Sequence, residues 1–258
     1  MKLKSALVGV AFVMSAACTA QDTPAPEPEH LYWFGASEAD APRPWAVILP
    51  GGGGIDNFGD EGEYYFAFAQ WLNSHGIDAL VVHYQEDIPP REEVGLPAYA
   101  AEIAGAAVRG VDHERSLGRM DLRCDGLVFA WSMGGQGMWD LVEGGRVALP
   151  GLAETIAFYP STQERGEGYD PKVPVTLLQG DADTLTPLPA LEHFIAGSTA
   201  PDAFTLHVIE GARHGFDLYT VPEPQLGGSF LFDEASAEAA MAILEQKMVD
   251  ADLGCALD

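Results

Sequence analysis

The sequence predicts an α/β fold, a mostly parallel sheet covered on both faces by helices. Two observations carry this. From about residue 31 onward, short apolar runs alternate with amphipathic stretches, the order expected of strands joined by crossover helices. The strand-like runs are apolar almost throughout, as strands are when both faces of the sheet are covered. No long inserted block interrupts the alternation, so no large cap domain is expected. With 258 residues, 47% of them hydrophobic, the chain is long enough for one substantial core.

Taken in order, "LYWFGA" (31–36) and "WAVILP" (45–50) read as strands. "EYYFAFAQWLNSHG" (63–76) has apolar residues at helical spacing and ends on Gly76, a residue suited to a helix C-terminus. "IDALVVHY" (77–84) reads as a buried strand and the Ala-rich "LPAYAAEIAGAAVRGV" (96–111) as a helix. "DGLVFAWS" (125–132) is a strand, followed by a helix over "MGGQGMWDLVEGG" (133–145) that stops at Gly144-Gly145. Strands at 153–160, 173–180 and 203–211, a short helix near 188–196 and a closing helix over 233–251 complete the domain, which spans residues 31–258.

The N-terminus has another character. Lys2 and Lys4 precede "ALVGVAFVMSAA" (6–17), an apolar stretch too short to span a bilayer. Residues 1–17 therefore read as a secretory signal and not as part of the fold. "SAAC" (15–18) resembles a bacterial lipobox, with Ser15 where leucine is usual. Two outcomes stay open: lipidation of Cys18, giving a membrane-anchored lipoprotein, or ordinary cleavage nearby, as after Ala20. Residues 18–30 are Pro- and Glu-rich and suit an extended tether. The expected location is outside the cytoplasm, periplasmic or membrane-anchored. If Cys18 is lipidated or removed, Cys124 and Cys255 remain, a pair that an exported protein can oxidise.

The formal net charge is −26, from 39 acidic and 13 basic residues. Such a surface repels phosphate backbones and anionic head groups, so nucleic acid is not an expected partner.

The chemistry gathers in four segments. In "VFAWSMGGQG" (128–137), Ser132 stands where a strand turns into a helix. A turn this tight needs small residues two positions to either side of the serine, and Ala130 and Gly134 qualify although the usual first glycine is absent. The N–H of Met133, at the helix start, is the natural donor to an oxyanion. "LQGDADTLTP" (178–187) places Asp181 and Asp183 past a strand end, and "IEGARHGFD" (209–217) does the same for His214. A histidine can take the serine proton, and a carboxylate can fix its tautomer. Asp183 is preferred to Asp181 as the acid because of its spacing to Pro187, with Asp181 left to cap the turn. The Asp-x-Asp pair has no evident third ligand, so no metal and no cofactor are expected. In "ILPGGGGIDNF" (48–58), a glycine run exposes backbone N–H groups after an early strand, and Gly52 and Gly53 are both candidate oxyanion donors. Trp131, Met133 and Phe216 are candidates to line an apolar acyl pocket, with packing of the elbow an equal reading for Trp131 and Met133. Of the remaining histidines, His83 at a strand end is open to two readings, lining the site or a structural role.

The order Ser132, Asp183, His214, with "AWSMGG", "GDADTLTP" and "ARHGF" after separate strands, resembles the dienelactone hydrolase family of the α/β-hydrolases. The resemblance spans roughly residues 31–250. It implies a small α/β-hydrolase domain without a large lid, with Ser132 as nucleophile, Asp183 as acid and His214 as base. It departs from the family at two points: serine replaces the usual cysteine nucleophile, and Pro50-Gly51 replaces the His-Glu pair. The expected activity is therefore cleavage of small-molecule carboxylic esters or lactones through an acyl-enzyme. Peptide, thioester or acyl-transfer chemistry on the same triad remains open, as does a non-catalytic surface lipoprotein on the same fold. Arg213 reads as an exposed loop residue. The oligomeric state is not legible.

Overall fold

The computed structural model describes residues 30–35, 41–55, 61–143, 149–221 and 223–256. The signal segment, Cys18, the tether up to residue 29 and the Gly144-Gly145 helix stop lie outside the described residues. Among those described, no helix is long and apolar enough to cross a membrane.

Seven strands form one sheet: β1 (Leu31–Phe34), β2 (Trp45–Leu49), β3 (Asp78–Val82), β4 (Gly126–Trp131), β5 (Leu152–Phe158), β6 (Val175–Gly180) and β7 (Phe204–Ile209). Their spatial order is β1-β3-β2-β4-β5-β6-β7. Only β1 is antiparallel, pairing Leu31 with Val82 and Phe34 with Ala79 on β3. The helices are α1 (Glu61–Ser74), α2 (Arg91–Val94), α3 (Leu96–Ser116), α4 (Gly134–Val142), α5 (Leu188–Ala196) and α6 (Glu234–Asp250).

β2, β4 and β6 are buried at every position, which accounts for the unbroken apolar sequences of β2 and β4; β6 also buries Thr176 and Gln179. Alternate residues feed two cores. Val47, Leu49, Val128 and Ala130 face Ile103, Met138, Trp139 and Phe194 of α3, α4 and α5. Ala46, Ile48, Phe129 and Trp131 face Tyr65, Phe68, Ala240 and Leu244 of α1 and α6. The helices thus divide between the two faces as the alternation requires.

Glycines close two helices by the same device. After α1, Gly76 takes φ 77° and Ile77 N donates to Leu72 O at 3.1 Å. After α3, Gly118 takes φ 72° and Arg119 N donates to Glu114 O at 3.0 Å. Both match the left-handed cap that glycine favours. α3 runs past its expected end at Val111 because the polar "DHERS" tail continues the helix, burying Glu114 and exposing Asp112, Arg115 and Ser116, up to Gly118.

Cys124 and Cys255 form a disulfide. It ties the C-terminal segment to the foot of β4, where Asp125 N also donates to Gly254 O at 2.8 Å and Ala256 N to Arg123 O at 2.9 Å. The opposite end of the sheet, at the carboxyl ends of the parallel strands, carries Ser132, Asp183, His214 and the glycine loop after β2.

Candidate active site

Ser132 occupies the link between β4 and α4 with φ 46°. A left-handed backbone is costly for a residue with a Cβ and persists where the surroundings over-determine it. Here they do. Ser132 N donates to Phe158 O at 3.0 Å, while Ser132 O accepts from Gly135 N at 3.1 Å and Ser161 N at 2.8 Å. Gly134 is required by contact: a Cβ on it would stand 2.3 Å from Leu49 O and 2.5 Å from Pro50 O. The first turn of α4 therefore packs directly on the end of β2.

The three predicted side chains meet. His214 Nε2 lies 2.8 Å from Ser132 Oγ, and His214 Nδ1 lies 2.8 Å from Asp183 Oδ2. The carboxylate can only accept from Nδ1–H, which leaves Nε2 to accept from the serine hydroxyl. Asp183 and His214 are each 4% exposed.

Asp183 accepts further bonds. Leu185 N and Thr186 N donate to Oδ1 at 2.8 and 2.9 Å. Thr186 Oγ1 donates to Oδ2 at 2.8 Å. Burial pushes this carboxyl up, but the bonds and charge of His214, with the Thr186 donors, outweigh it and hold it below its ordinary value. Asp181 is exposed and accepts from Gly211 N at 2.7 Å, bracing the histidine loop from outside.

Gly215, after the histidine, has φ 69° and lies over the ring of Phe230, 2.3 Å from where its Cβ would be. Leu231 N donates to His214 O at 2.9 Å, which anchors the loop.

The glycine loop is sorted by its hydrogen bonds. Gly51 N donates to Tyr65 Oη at 2.9 Å, and Gly54 N to Gly51 O at 3.0 Å. Tyr84 Oη and Gln85 Nε2 donate to Gly51 O at 3.2 and 2.8 Å. Buried His83 supports the loop from beneath, its Nε2 2.9 Å from where a Cβ on Gly54 would lie. Gly51 and Gly54 are buried, whereas Gly52 is exposed and Gly53 half-buried. Among the described residues, neither Gly52 nor Gly53 donates a backbone hydrogen bond. Gly52 adjoins Met133, with 3.4 Å between its would-be Cβ and the Met133 Cβ.

No protein-family model and no curated sequence matches the chain. Solved structures do. A protein assigned as a dienelactone hydrolase from Klebsiella pneumoniae superposes with a TM-score of 0.63 at 18% identity, covering 86% of this chain and 92% of that one. A dienelactone hydrolase-like promiscuous phosphotriesterase from metagenomic libraries gives 0.67 at 15% identity, covering 87% and 92%. Esterase 2 of Thermogutta terrifontis, with propionate bound, gives 0.57 at 18% identity, covering 84% and 89%. The chain has the α/β-hydrolase fold.

Two sequence expectations need correction within this fold. Trp131 and Phe216 are both 0% exposed, so neither lines an accessible pocket. Trp131 belongs to the same sheet face as Leu127 and Phe129 and stacks on Phe158, with ring centroids 4.7 Å apart. Phe216 packs in that same core against Phe158 and Tyr159. A cavity of about 270 Å³ beside the acid loop is lined by Leu185, Thr186, Pro187 and Phe194 together with Arg165 and Glu167, and by none of Ser132, Asp183 and His214.

Sequence reasoning missed a cluster under the site. Asp217 accepts from Tyr64 Oη at 2.6 Å, Trp131 Nε1 at 2.7 Å and Tyr159 Oη at 2.6 Å. The only available signal was an acidic residue directly after the apolar Gly-Phe of the histidine loop. Arg213 is exposed and donates to Gly228 O at 2.8 Å. Among the described residues, no group of three His, Cys, Asp or Glu is placed to hold a metal ion.

Proposed function

We propose that the protein is a serine hydrolase that cleaves small carboxylic esters or lactones through an acyl-enzyme. The observation that carries this reading is the continuous Ser132–His214–Asp183 hydrogen-bond chain, with both links at 2.8 Å. His214 Nε2 takes the hydroxyl proton as Ser132 Oγ attacks the substrate carbonyl, and Asp183 holds the imidazolium that forms. The N–H groups of Met133 and of Gly52 or Gly53 receive the oxyanion. His214 then delivers the proton to the leaving alcohol, and the same residues activate water to release the acid.

The structural neighbours support the ester class, since they include an esterase and dienelactone hydrolase-like proteins. We place the chain with the dienelactone hydrolase-like serine esterases on the joint strength of its motifs and these neighbours. Export, with the option of a lipid at Cys18, is part of the proposal; the Cys124–Cys255 disulfide suits an oxidising compartment.

Ester turnover and fluorophosphonate labelling of wild type and Ser132→Ala test the reading. Ser132→Ala is expected to lower kcat by about 10⁴–10⁶ and to abolish labelling. Undiminished turnover in that variant rules the mechanism out. Absence of labelling in the wild type favours a non-catalytic binding module.

A further inference from the structure

The buried carboxylate of Asp217 has no part in the reaction just described. It is 4% exposed as a residue, and both its oxygens are taken up by buried donors rather than turned to the site. Burying a carboxyl is unfavourable unless its oxygens are satisfied. Here Oδ2 accepts from both Tyr64 and Trp131, and Oδ1 accepts from Tyr159. Burial pushes the Asp217 carboxyl up, and its three donors draw it back only in part.

What these donors hold is informative. Trp131 immediately precedes the nucleophile Ser132, and its indole N–H can only donate. Tyr159 lies against the base: its ring centroid is 4.5 Å from that of His214. Tyr159 also has φ 37°, a second strained residue beside the site. Its backbone is pinned by Tyr159 N to Leu178 O at 2.8 Å and by Thr186 Oγ1 to Tyr159 O at 3.1 Å. Asp217 itself follows His214 by three residues on the same loop. One carboxylate therefore joins the nucleophile turn, the support of the imidazole and the histidine loop.

We infer that Asp217 is a positioning residue, which holds Ser132 and His214 in register through hydrogen bonds to Trp131 and Tyr159. The inference rests on the proposed serine hydrolase reading. An error of about 1 Å between reacting groups can cost about a hundredfold in rate, and hydrogen bonds to the groups behind them are how such errors are avoided.

The test compares Tyr159→Phe, Asp217→Leu and Asp217→Asn by kcat, KM, fluorophosphonate labelling rate and melting temperature. Tyr159→Phe keeps the ring on His214 and loses only the bond to Asp217. It is expected to lower kcat and labelling rate by about ten- to a hundredfold, with KM within about twofold. Asp217→Asn offers a carbonyl to Trp131 and Tyr64 and an N–H to the Tyr159 oxygen, so it recovers most of the activity that Asp217→Leu loses. If Asp217→Leu does not fold, Tyr159→Phe and Asp217→Asn carry the comparison. The inference is overturned if Tyr159→Phe lowers only the melting temperature, or if Asp217→Asn is as impaired as Asp217→Leu. A wild-type protein that neither turns over esters nor takes the phosphonate overturns the parent reading, and this one with it.

Discussion

The backbone N–H of Gly51 is bound to the hydroxyl of Tyr65, 2.9 Å away, and is not free to meet a substrate. This contact fixes the first glycine after β2 and leaves exposed Gly52 and half-buried Gly53 with their N–H groups outside the backbone ladder. Tyr65→Phe keeps the aromatic packing on Trp131 but strands a buried donor. It is expected to cost about 1–3 kcal/mol in stability. The kcat should fall by about tenfold, less than the 10²–10³ typical of removing an oxyanion donor itself. Denaturant titration and steady-state kinetics check the two parts.

Gly134 and Gly52 make a paired prediction. A methyl on Gly134 would enter the backbone oxygens of Leu49 and Pro50, whereas one on Gly52 would make an ordinary contact with Met133. Gly134→Ala is expected to lose about 1–3 kcal/mol and at least a hundredfold in kcat, because the turn must move away from β2. Gly52→Ala should stay within about 0.5 kcal/mol of wild type. Thermal or chemical unfolding of both variants decides.

Asp183→Asn removes the anion that fixes the His214 tautomer, and kcat is expected to fall by about 10⁴. The variant also has a signature in stability against pH. The folded carboxyl titrates below its ordinary value of 3.8. Its contribution is therefore present above the unfolded value and is lost as pH falls through the lower folded one. The stability advantage of wild type over Asp183→Asn should narrow only below about pH 4. Parallel denaturant titrations between neutral pH and strong acid measure it.

The disulfide spans a sequence separation of 131. Chain-entropy reasoning puts its contribution at up to about 5 kcal/mol. Cys124→Ser with Cys255→Ser is expected to lower the denaturant midpoint accordingly. It should leave kcat near wild type under stabilising conditions, because Cys124 lies before β4 and Ser132 at its far end. Comparing the variant with reduced wild type checks both statements.

The strands and helices were legible because burial on both sheet faces forces apolar runs that no loop shares. The meeting of Ser132, Asp183 and His214 was legible because each follows its own strand, and parallel strands end on one side. The acyl-pocket assignment failed for a geometric reason. Trp131 adjoins the nucleophile in sequence, but strand alternation sends its side chain beneath the sheet, and Phe216 follows it there. Asp217 was not legible for a related reason: its partners come from α1, β4 and the end of β5, and nothing local in "HGFD" announces them. Gly52 and Gly53 were named from the glycine run itself, but the bond that occupies the Gly51 N–H comes from Tyr65, fourteen positions away.

The reversed direction of β1 has one more consequence. Leu31 begins that strand beside Val82, at the carboxyl end of β3, and His30 O accepts from His83 N at 2.8 Å. The polypeptide thus enters the domain next to the glycine loop, on the catalytic side. Eleven residues lie between Cys18 and His30, about 40 Å at full extension. A lipid at Cys18, as proposed above, would therefore tether the domain by the end of the sheet that carries Ser132 and the glycine loop.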